Sequence, residues 1–312
     1  MESRLRIFTG NSNPGLARDI AARLNLEVGA AVVSKFKNGE TRVRLEENVR
    51  GCDVFIIQST CMPVDHSIME LLLMIDAARR ASAKKVTAVI PYYGYAKQEK
   101  KTTGREPISA KLVANLITTA GADRVVTVDL HAAAIEGFFD IPVDHLRAAP
   151  LLVDHFKHDD LSDVVVVSPD AGGVLRANDF RQRIGASLAI IAKQRPQPDV
   201  SEVMDMVGAV EGKTAVIVDD LISTGATLSH AADMLMERGA QRVWAAATHA
   251  PFADNAGEIL AESCIERIVI TDTIEPPTDS MCKKVEVVSV ASLLGEAIMR
   301  IHKDLSVSAL FH

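Results

Sequence analysis

Short apolar runs alternate along the chain with segments of helical periodicity. The runs are rich in Val and Ile and lack strict polar–apolar alternation, which is typical of strands buried on both faces of a parallel sheet. The predicted strands span residues 54–58, 86–91, 125–130, 164–168, 187–192, 214–219, 243–248, 267–271 and 284–290.

Between these runs, apolar residues recur at spacings of three and four, for example over residues 68–78 and 228–236, as expected for helices with one buried face. Gly121 and Gly239 stand where such helices should end. Repeated strand–helix units of this kind predict an α/β protein with two open, mostly parallel sheets and crossover helices. We expect one domain over residues 1–146 and a second over 147–312, with the C-terminal tail packing on the first.

Composition and charge narrow the class of protein. Of 312 residues, 48% are hydrophobic and 4% aromatic, which is a globular composition and excludes disordered or collagen-like chains. The net charge of −7 argues against a protein that binds nucleic acid. Apolar stretches fall short of the ~20 residues that cross a bilayer, and the N-terminus lacks a signal-peptide pattern. We therefore expect a soluble cytoplasmic protein with neither a membrane nor a nucleic acid as partner.

Three segments lack periodicity and follow predicted strands: residues 92–107, 168–177 and 194–204. Open parallel sheets bind their ligands at the loops that follow strands. These segments are therefore the candidate ligand loops.

The most specific motif covers residues 216–227, Val-Ile-Val-Asp-Asp-Leu-Ile-Ser-Thr-Gly-Ala-Thr. A buried strand runs into Asp219 and Asp220, and a small, hydroxyl-rich turn then opens a helix. Amide groups at a helix N-terminus bind phosphate, and the two carboxylates can accept hydrogen bonds from sugar hydroxyls. The simpler interpretation makes Thr227 a helix cap and the acids a solvated strand end. We favour a site, because adjacent acids flanked by apolar residues and joined to a Thr-Gly-x-Thr turn are uncommon. The element resembles the ribose-phosphate loop of the phosphoribosyltransferase fold.

Other motifs are less specific by themselves. In residues 168–177, paired glycines would let amides approach an anion, an acid could hold a metal and Arg176 adds positive charge, but a tight connecting turn explains the segment equally well. Asp129-Leu130-His131 ends a predicted strand, where a lone histidine is usually structural. Asn38-Gly39-Glu40 reads locally as a hairpin turn.

Taken in order, these motifs resemble the ribose-phosphate diphosphokinases, also called phosphoribosyl pyrophosphate synthetases. The resemblance also rests on Phe-Lys-Asn-Gly-Glu at 36–40, Pro-Ile-Ser-Ala-Lys-Leu-Val-Ala-Asn at 107–115, Gly-Phe-Phe-Asp-Ile-Pro-Val-Asp-His-Leu at 137–146 and Ser-Val-Ser-Ala-Leu-Phe at 306–311. It implies two phosphoribosyltransferase-type domains, each a mostly parallel sheet flanked by helices. It also implies transfer of the β,γ-diphosphoryl group of ATP to the anomeric hydroxyl of ribose 5-phosphate, Mg²⁺ dependence, and dimers that assemble into hexamers.

The resemblance assigns substrate roles to individual residues. The ribose 5-phosphate loop would comprise Asp219, Asp220, Ser223, Thr224, Gly225, Ala226 and Thr227. The pyrophosphate loop would comprise Asp170, Ala171, Gly172, Gly173 and Arg176. ATP would contact Lys97, Gln98 and His131, together with Phe36, Asn38 and Glu40 from a neighbouring subunit.

It also assigns metal, catalytic and regulatory residues. His131 and Asp170 match ligands of Mg-ATP, and because Mg²⁺ prefers oxygen donors we expect His131 to contact phosphate as well as metal. Lys193 and Arg195 match a mobile catalytic loop whose cations would stabilise charge on the transferred group. A phosphate and ADP regulatory site would comprise Asn48, Arg50, Ser82, Ser306 and Ser308.

The chain departs from the family pattern at several site positions. Lys97 replaces an arginine and so loses its bidentate fork. Ser223 stands where many members have aspartate, which bears on how the sugar is oriented. The other departures are Asn48 for serine, Glu99 for aspartate and Ala134 for a polar residue.

Two other functions remain open at this point. A phosphoribosyltransferase that consumes the product usually needs one domain, which would leave the N-terminal half and His131 unexplained. A catalytically silent, synthetase-associated subunit would lack the cations of the catalytic loop. Lys193 and Arg195 are both present, and the segment from there to Gly208 is short, so the sequence favours the enzyme.

Overall fold

The computed structural model describes residues 4–194, 203–276 and 283–310. The strands are β1 (Leu5–Thr9), β2 (Ala31–Lys35), β3 (Thr41–Leu45), β4 (Asp53–Ile57), β5 (Lys85–Ile90), β6 (Arg124–Val128), β7 (Val143–Leu146), β8 (Val164–Ser168), β9 (Ser187–Gln194), β10 (Val203–Val207), β11 (Thr214–Leu221), β12 (Arg242–His249), β13 (Arg267–Thr271) and β14 (Val285–Val288). The helices are α1 (Pro14–Arg23), α2 (Val64–Arg80), α3 (Ser109–Ala120), α4 (Ala149–Phe156), α5 (Val174–Ile184), α6 (Ala226–Glu237), α7 (Ala256–Glu262) and α8 (Ala291–His302), with 3-10 helices at Ala133–Phe138 and Ser308–Leu310.

The chain divides into two compact units. Unit 1 runs to Arg147 and also contains Thr273–Glu275 and the chain from Ser289 onward. Unit 2 comprises Ala148–Asp272 and Pro276–Val288. Within unit 1, α8 packs against α1, and the His302 Nδ1 atom lies 2.8 Å from Asp53 Oδ2. The C-terminal helix therefore completes the unit in which the chain begins.

Unit 1 contains a five-stranded parallel sheet in the order β1-β4-β5-β6-β7. All five residues of β4 are buried, and the four after Asp53 are apolar, as expected for a strand inside a parallel sheet. A separate antiparallel hairpin, β2–β3, carries the turn predicted at Asn38-Gly39-Glu40. Gly39 there has a φ of +91°, a left-handed conformation that glycine adopts at no steric cost.

Unit 2 contains a seven-stranded sheet in the order β10-β9-β8-β11-β12-β13-β14, parallel except for β10, which runs antiparallel to β9. Both ends of the loop predicted over residues 194–204 belong to strands, because β9 extends to Gln194 and β10 begins at Val203. Residues 195–202 lie outside the described part of the chain. Among the helices of the described residues, none has both the length and the hydropathy needed to cross a bilayer.

Candidate active site

The candidate ribose-phosphate loop connects β11 to α6. Ala215–Val218 are buried, and the strand carries Asp219 and Asp220 at its carboxyl end. Gly225, just before α6, has a φ of +77°, and an added Cβ would lie 2.9 Å from Leu260 Cγ. Only glycine fits this position without strain. The first amide groups of α6 have no acceptor within the helix, so the turn can present them to a phosphate.

The two carboxylates of this loop share one guanidinium. Arg176 Nη1 lies 3.2 Å from Asp219 Oδ1 and 3.3 Å from Asp220 Oδ1. Burial, reinforced by the neighbouring Asp220 carboxylate, raises the pKa of Asp219 to about 7, and Arg176 opposes this rise. Arg176, which the family resemblance associates with pyrophosphate, thus contacts the acidic pair.

The candidate pyrophosphate loop connects β8 to α5 and is folded around Asp170. The Gly173 amide donates to Asp170 Oδ1 over 2.9 Å, and Ser168 Oγ donates to the Asp170 carbonyl over 2.7 Å. An added Cβ at Gly173 would lie 2.9 Å from Ser168 Oγ, so a side chain at this position would displace the serine. Asp170, Ala171 and Gly172 are exposed. Because Arg176 lies in the first turn of α5 and contacts the acidic pair, the two loops of unit 2 converge.

In unit 1, the candidate phosphate contact His131 follows β6. Its side chain is exposed, on a turn whose first residue, Asp129, is buried with a φ of +39°. The Leu130 amide lies 2.7 Å from the Nε2 atom of His145 in β7. The motif at residues 137–146 includes His145 but assigns it no role.

Lys97 and Gln98 lie in the loop between β5 and α3, and both are exposed. The Gln98 side-chain Oε1 accepts a hydrogen bond from Ser109 Oγ over 2.6 Å, and the Gln98 backbone carbonyl accepts one from the Ala110 amide over 3.3 Å. Gln98 therefore supports the first turn of α3 as well as facing solvent.

The proposed adenine contacts lie at the tip of the β2–β3 hairpin. Phe36 is exposed, and the Arg42 guanidinium lies 5.7 Å from the centre of its ring. Asn38 Oδ1 accepts from the Glu40 amide over 3.2 Å, which stabilises the turn. The hairpin thus presents an aromatic face and polar groups to solvent.

The candidate regulatory residues fall in unit 1. Asn48 Oδ1 accepts from the Arg50 amide over 3.0 Å, and the next amide, of Gly51, donates to the Ser82 carbonyl over 2.9 Å. The Ser306 and Ser308 hydroxyls lie 2.6 Å apart. Asp304 lies two residues before Ser306, and Lys85 lies three residues after Ser82. These two side chains form an ion pair over 3.3 Å. The two groups of residues are therefore linked through the segment 82–85.

The candidate catalytic cations lie at the edge of the described chain. The backbone of Lys193 pairs with Met204 across β9 and β10. Arg195 and the Lys193 side chain lie outside the described residues.

The parallel sheets define an α/β protein, and the β11–α6 loop has an acidic pair, a glycine turn and a helix N-terminus that suit a sugar phosphate. Comparison with known proteins is more specific. A family profile described as the N-terminal domain of ribose phosphate pyrophosphokinase matches residues 5–121, and one described as the phosphoribosyl synthetase-associated domain matches residues 193–312. The chain belongs to the ribose-phosphate pyrophosphokinase family.

Relatives of the chain match along nearly its whole length. Ribose-phosphate pyrophosphokinase of Caldanaerobacter subterraneus subsp. tengcongensis is 55% identical over 308 residues, 98% of each chain. The Oceanobacillus iheyensis protein of the same name is 52% identical over 310 residues, 99% of this chain and 98% of the relative. The crystal structure of phosphoribosylpyrophosphate synthetase from Mycobacterium smegmatis has a TM-score of 0.92 at 44% identity, covering 97% of this chain and all of that one. These matches confirm the family and the fold class that the sequence predicts.

Proposed function

We propose that the protein transfers the β,γ-diphosphoryl group of ATP to the anomeric hydroxyl of ribose 5-phosphate, giving phosphoribosyl pyrophosphate and AMP for nucleotide biosynthesis in the cytoplasm. The observation that carries the proposal is the convergence, in unit 2, of the Asp219–Asp220 pair with a glycine turn and the N-terminus of α6. Full-length similarity to enzymes named for this reaction supports it.

The ribose loop offers a partner for each end of the sugar phosphate. Carboxylates accept hydrogen bonds, so Asp219 and Asp220 suit neighbouring ribose hydroxyls. The Ser223–Thr227 turn supplies hydroxyls and the amides of α6, which suit the 5-phosphate. The substrate is thus bound through its sugar and its phosphate, leaving the anomeric hydroxyl to react.

The transfer itself asks mainly for positioning and charge stabilisation, because little covalent work falls to the protein in phosphoryl transfer. Lys193 and Arg195 would stabilise charge on the transferred group. Lys97, Gln98 and His131 would hold ATP, and Phe36, Asn38 and Glu40 would bind adenine across a subunit boundary.

Mg²⁺ fits the donors present. Mg²⁺ is usually held by one or two carboxylates and substrate phosphates, with water completing its coordination. Asp170 offers an exposed carboxylate whose Oδ1 is fixed by the Gly173 amide. Among the described residues no cluster of three or more His, Cys, Asp or Glu side chains forms a metal cage. We assign Asp170 to the metal and His131 to phosphate and metal contact; the bound ion would neutralise charge on the triphosphate.

Self-association is supported by α3. Ile108, immediately before the helix, and Leu112 and Leu116 within it follow at intervals of four residues and are 36%, 56% and 41% exposed. An exposed apolar stripe of this kind suits an interface between copies. We propose dimers that assemble into a hexamer. A neighbouring subunit would contribute the residues that contact adenine, so that dissociation abolishes activity.

One assay tests the reaction: the protein is mixed with ATP, Mg²⁺ and ribose 5-phosphate, with inorganic phosphate present, and nucleotide products are separated. We expect AMP. ADP instead would show monophosphoryl transfer, and no nucleotide turnover would indicate a silent subunit.

A pair of lysine variants tests the catalytic assignment. Lys193→Ala should lower kcat by about 10²–10³-fold with little change in the KM for ribose 5-phosphate. Lys213→Ala is the matched control, because Lys213 lies just before β11, at the end opposite to Asp219 and Asp220. There its Nζ donates to Ser187 Oγ over 3.2 Å. If both variants lose activity equally, or if Lys193→Ala retains kcat, the catalytic assignment is wrong.

A further inference from the structure

The turn that carries His131 is sharply bent and buried at its base. The Asp129 amide donates to the Leu146 carbonyl over 3.0 Å, which continues the β6–β7 ladder by one residue. Asp129 then adopts a φ of +39°, a conformation that non-glycine residues rarely take. Such strained residues persist where surrounding contacts hold them.

The imidazole of His145 provides one such contact. His145 is buried, and its Nε2 atom lies 2.7 Å from the Leu130 amide nitrogen. A backbone N–H can only donate, so Nε2 must be the unprotonated acceptor, and the ring proton lies on Nδ1.

Both other neighbours of the ring favour the same tautomer. Nδ1 lies 2.5 Å from Glu136 Oε1, which can only accept while the carboxylate is ionised. Arg147 Nη1, a donor, lies 2.8 Å from Nε2, and also 3.7 Å from Asp129 Oδ1. Burial and the Arg147 charge lower the pKa of His145, which agrees with a neutral ring. Glu136, His145 and Arg147 thus form one network beneath the turn.

We propose that His145 is a positioning residue for ATP: its Glu136-fixed imidazole holds the Leu130 amide and thereby orients the adjacent His131. The inference rests on the proposed role of His131 in binding ATP. His145 itself touches no substrate in this scheme, and acts through the backbone of the turn.

Two substitutions separate the hydrogen bond from packing. His145→Phe keeps a ring of similar size but has no acceptor, whereas His145→Gln places a carbonyl oxygen near the position of Nε2. His155→Phe is the matched control, because that histidine belongs to unit 2, where it pairs with Glu286 over 2.6 Å, whereas the turn belongs to unit 1. The kcat and the KM values for ATP and ribose 5-phosphate are measured for each variant.

We expect His145→Phe to lower kcat/KM for ATP by about 10- to 100-fold, as losses of orienting partners commonly do. His145→Gln should recover most of it, and the KM for ribose 5-phosphate should stay within about twofold, because that loop belongs to unit 2. Wild-type kcat/KM for ATP in His145→Phe would overturn the proposal. An equal loss in the Phe and Gln variants, or in both substrates, would show a general structural role and overturn it as well.

Amide hydrogen exchange supplies a readout that does not depend on activity. A peptide covering residues 127–133 should exchange at least tenfold faster in His145→Phe, and near wild-type rate in His145→Gln. Unchanged exchange in His145→Phe would contradict the hydrogen bond. The proposed function fails if the wild-type enzyme forms no AMP, or if His131→Ala has the wild-type kcat and KM for ATP. The exchange rates still decide in that case whether His145 holds the turn.

Discussion

Replacing Arg176 by methionine tests the electrostatics of the ribose loop. Its guanidinium lies within 3.3 Å of carboxylate oxygens of both Asp219 and Asp220, and the three side chains are largely buried, with exposures of 21%, 23% and 7%. Methionine retains much of the volume and removes the charge. The two acids would then face each other without a cation between them.

The size of the effect follows from the pKa of Asp219, which is about 7 with Arg176 in place. An opposite charge at such distances lowers a carboxyl pKa by about 1–3 units, so its loss should raise this pKa to about 8–10. At pH 7.5, a rise of about 2 units reduces the ionised fraction from roughly three quarters to about 3%. If ribose hydroxyls bind the ionised form, the KM for ribose 5-phosphate should increase about 20-fold.

The assay measures this KM from pH 6.5 to 10. An acid loses its proton as pH rises, so the KM should fall through pH 7 in the wild type and through about pH 8–10 in Arg176→Met. The phosphate of the substrate titrates near pH 6 and does so equally with both proteins. Arg183→Met is the matched control on the same helix, because Arg183 pairs with Asp179 over 3.0 Å instead.

An unchanged pH dependence in Arg176→Met would refute the reasoning, since it would mean that the guanidinium does not govern protonation of the pair. A fall in kcat with unchanged KM for ribose 5-phosphate would instead show Arg176 acting on the transferred group, as the family resemblance implies.

Three further predictions concern stability and assembly. Asp219→Asn should stabilise the protein at pH 8 by about 2–4 kcal/mol, measured by thermal unfolding, and this gain should vanish near pH 4. The reason is that a carboxyl group whose pKa is raised in the folded state costs stability as pH rises from 3.8 to about 7. No gain at pH 8 would contradict the raised pKa. Gly225→Ala should destabilise by about 1–3 kcal/mol in urea, because its Cβ would lie 2.9 Å from Leu260 Cγ at a φ of +77°; a change below about 0.5 kcal/mol would refute this strain. Leu112→Glu should shift sedimentation toward smaller species, whereas Leu305→Glu, at a similarly exposed leucine, should not. Unchanged assembly in both variants would show that α3 is not part of the interface.

The hydrophobic pattern predicts central strands far better than edge strands. β4, β8 and β11 lie inside their sheets and carry apolar residues toward both faces, so short Val- and Ile-rich runs reveal them. Of the described edge strands of these two sheets, the hydrophobic pattern predicts β14 and misses β1, β7 and β10. An edge strand needs less apolar surface, as the Val-Asp-His-Leu sequence of β7 shows.

The residues of the candidate site also differ in how well the sequence predicts them. The acidic pair, the glycine turn and the following helix are contiguous, so their sequence alone points to a sugar phosphate. Contacts between distant segments are not visible in that way: Arg176 meets Asp219 across 43 residues, and His145 meets Leu130 across 15. Only the order of strands in each sheet brings these partners together.

The discontinuity of unit 1 bears on how the protein is made. Its sheet is encoded before Arg147, whereas Thr273–Glu275 and α8 are encoded after most of unit 2. Ser59 Oγ donates to the Thr273 carbonyl over 2.5 Å. Domains generally fold as units during synthesis, N-terminal first. Here residues 148–288, which include all of unit 2, are synthesised before α8 can pack on α1. A nascent chain stalled before residue 289 would lack α8 and leave that surface of α1 uncovered, so unit 1 can complete its fold only after unit 2 has been synthesised.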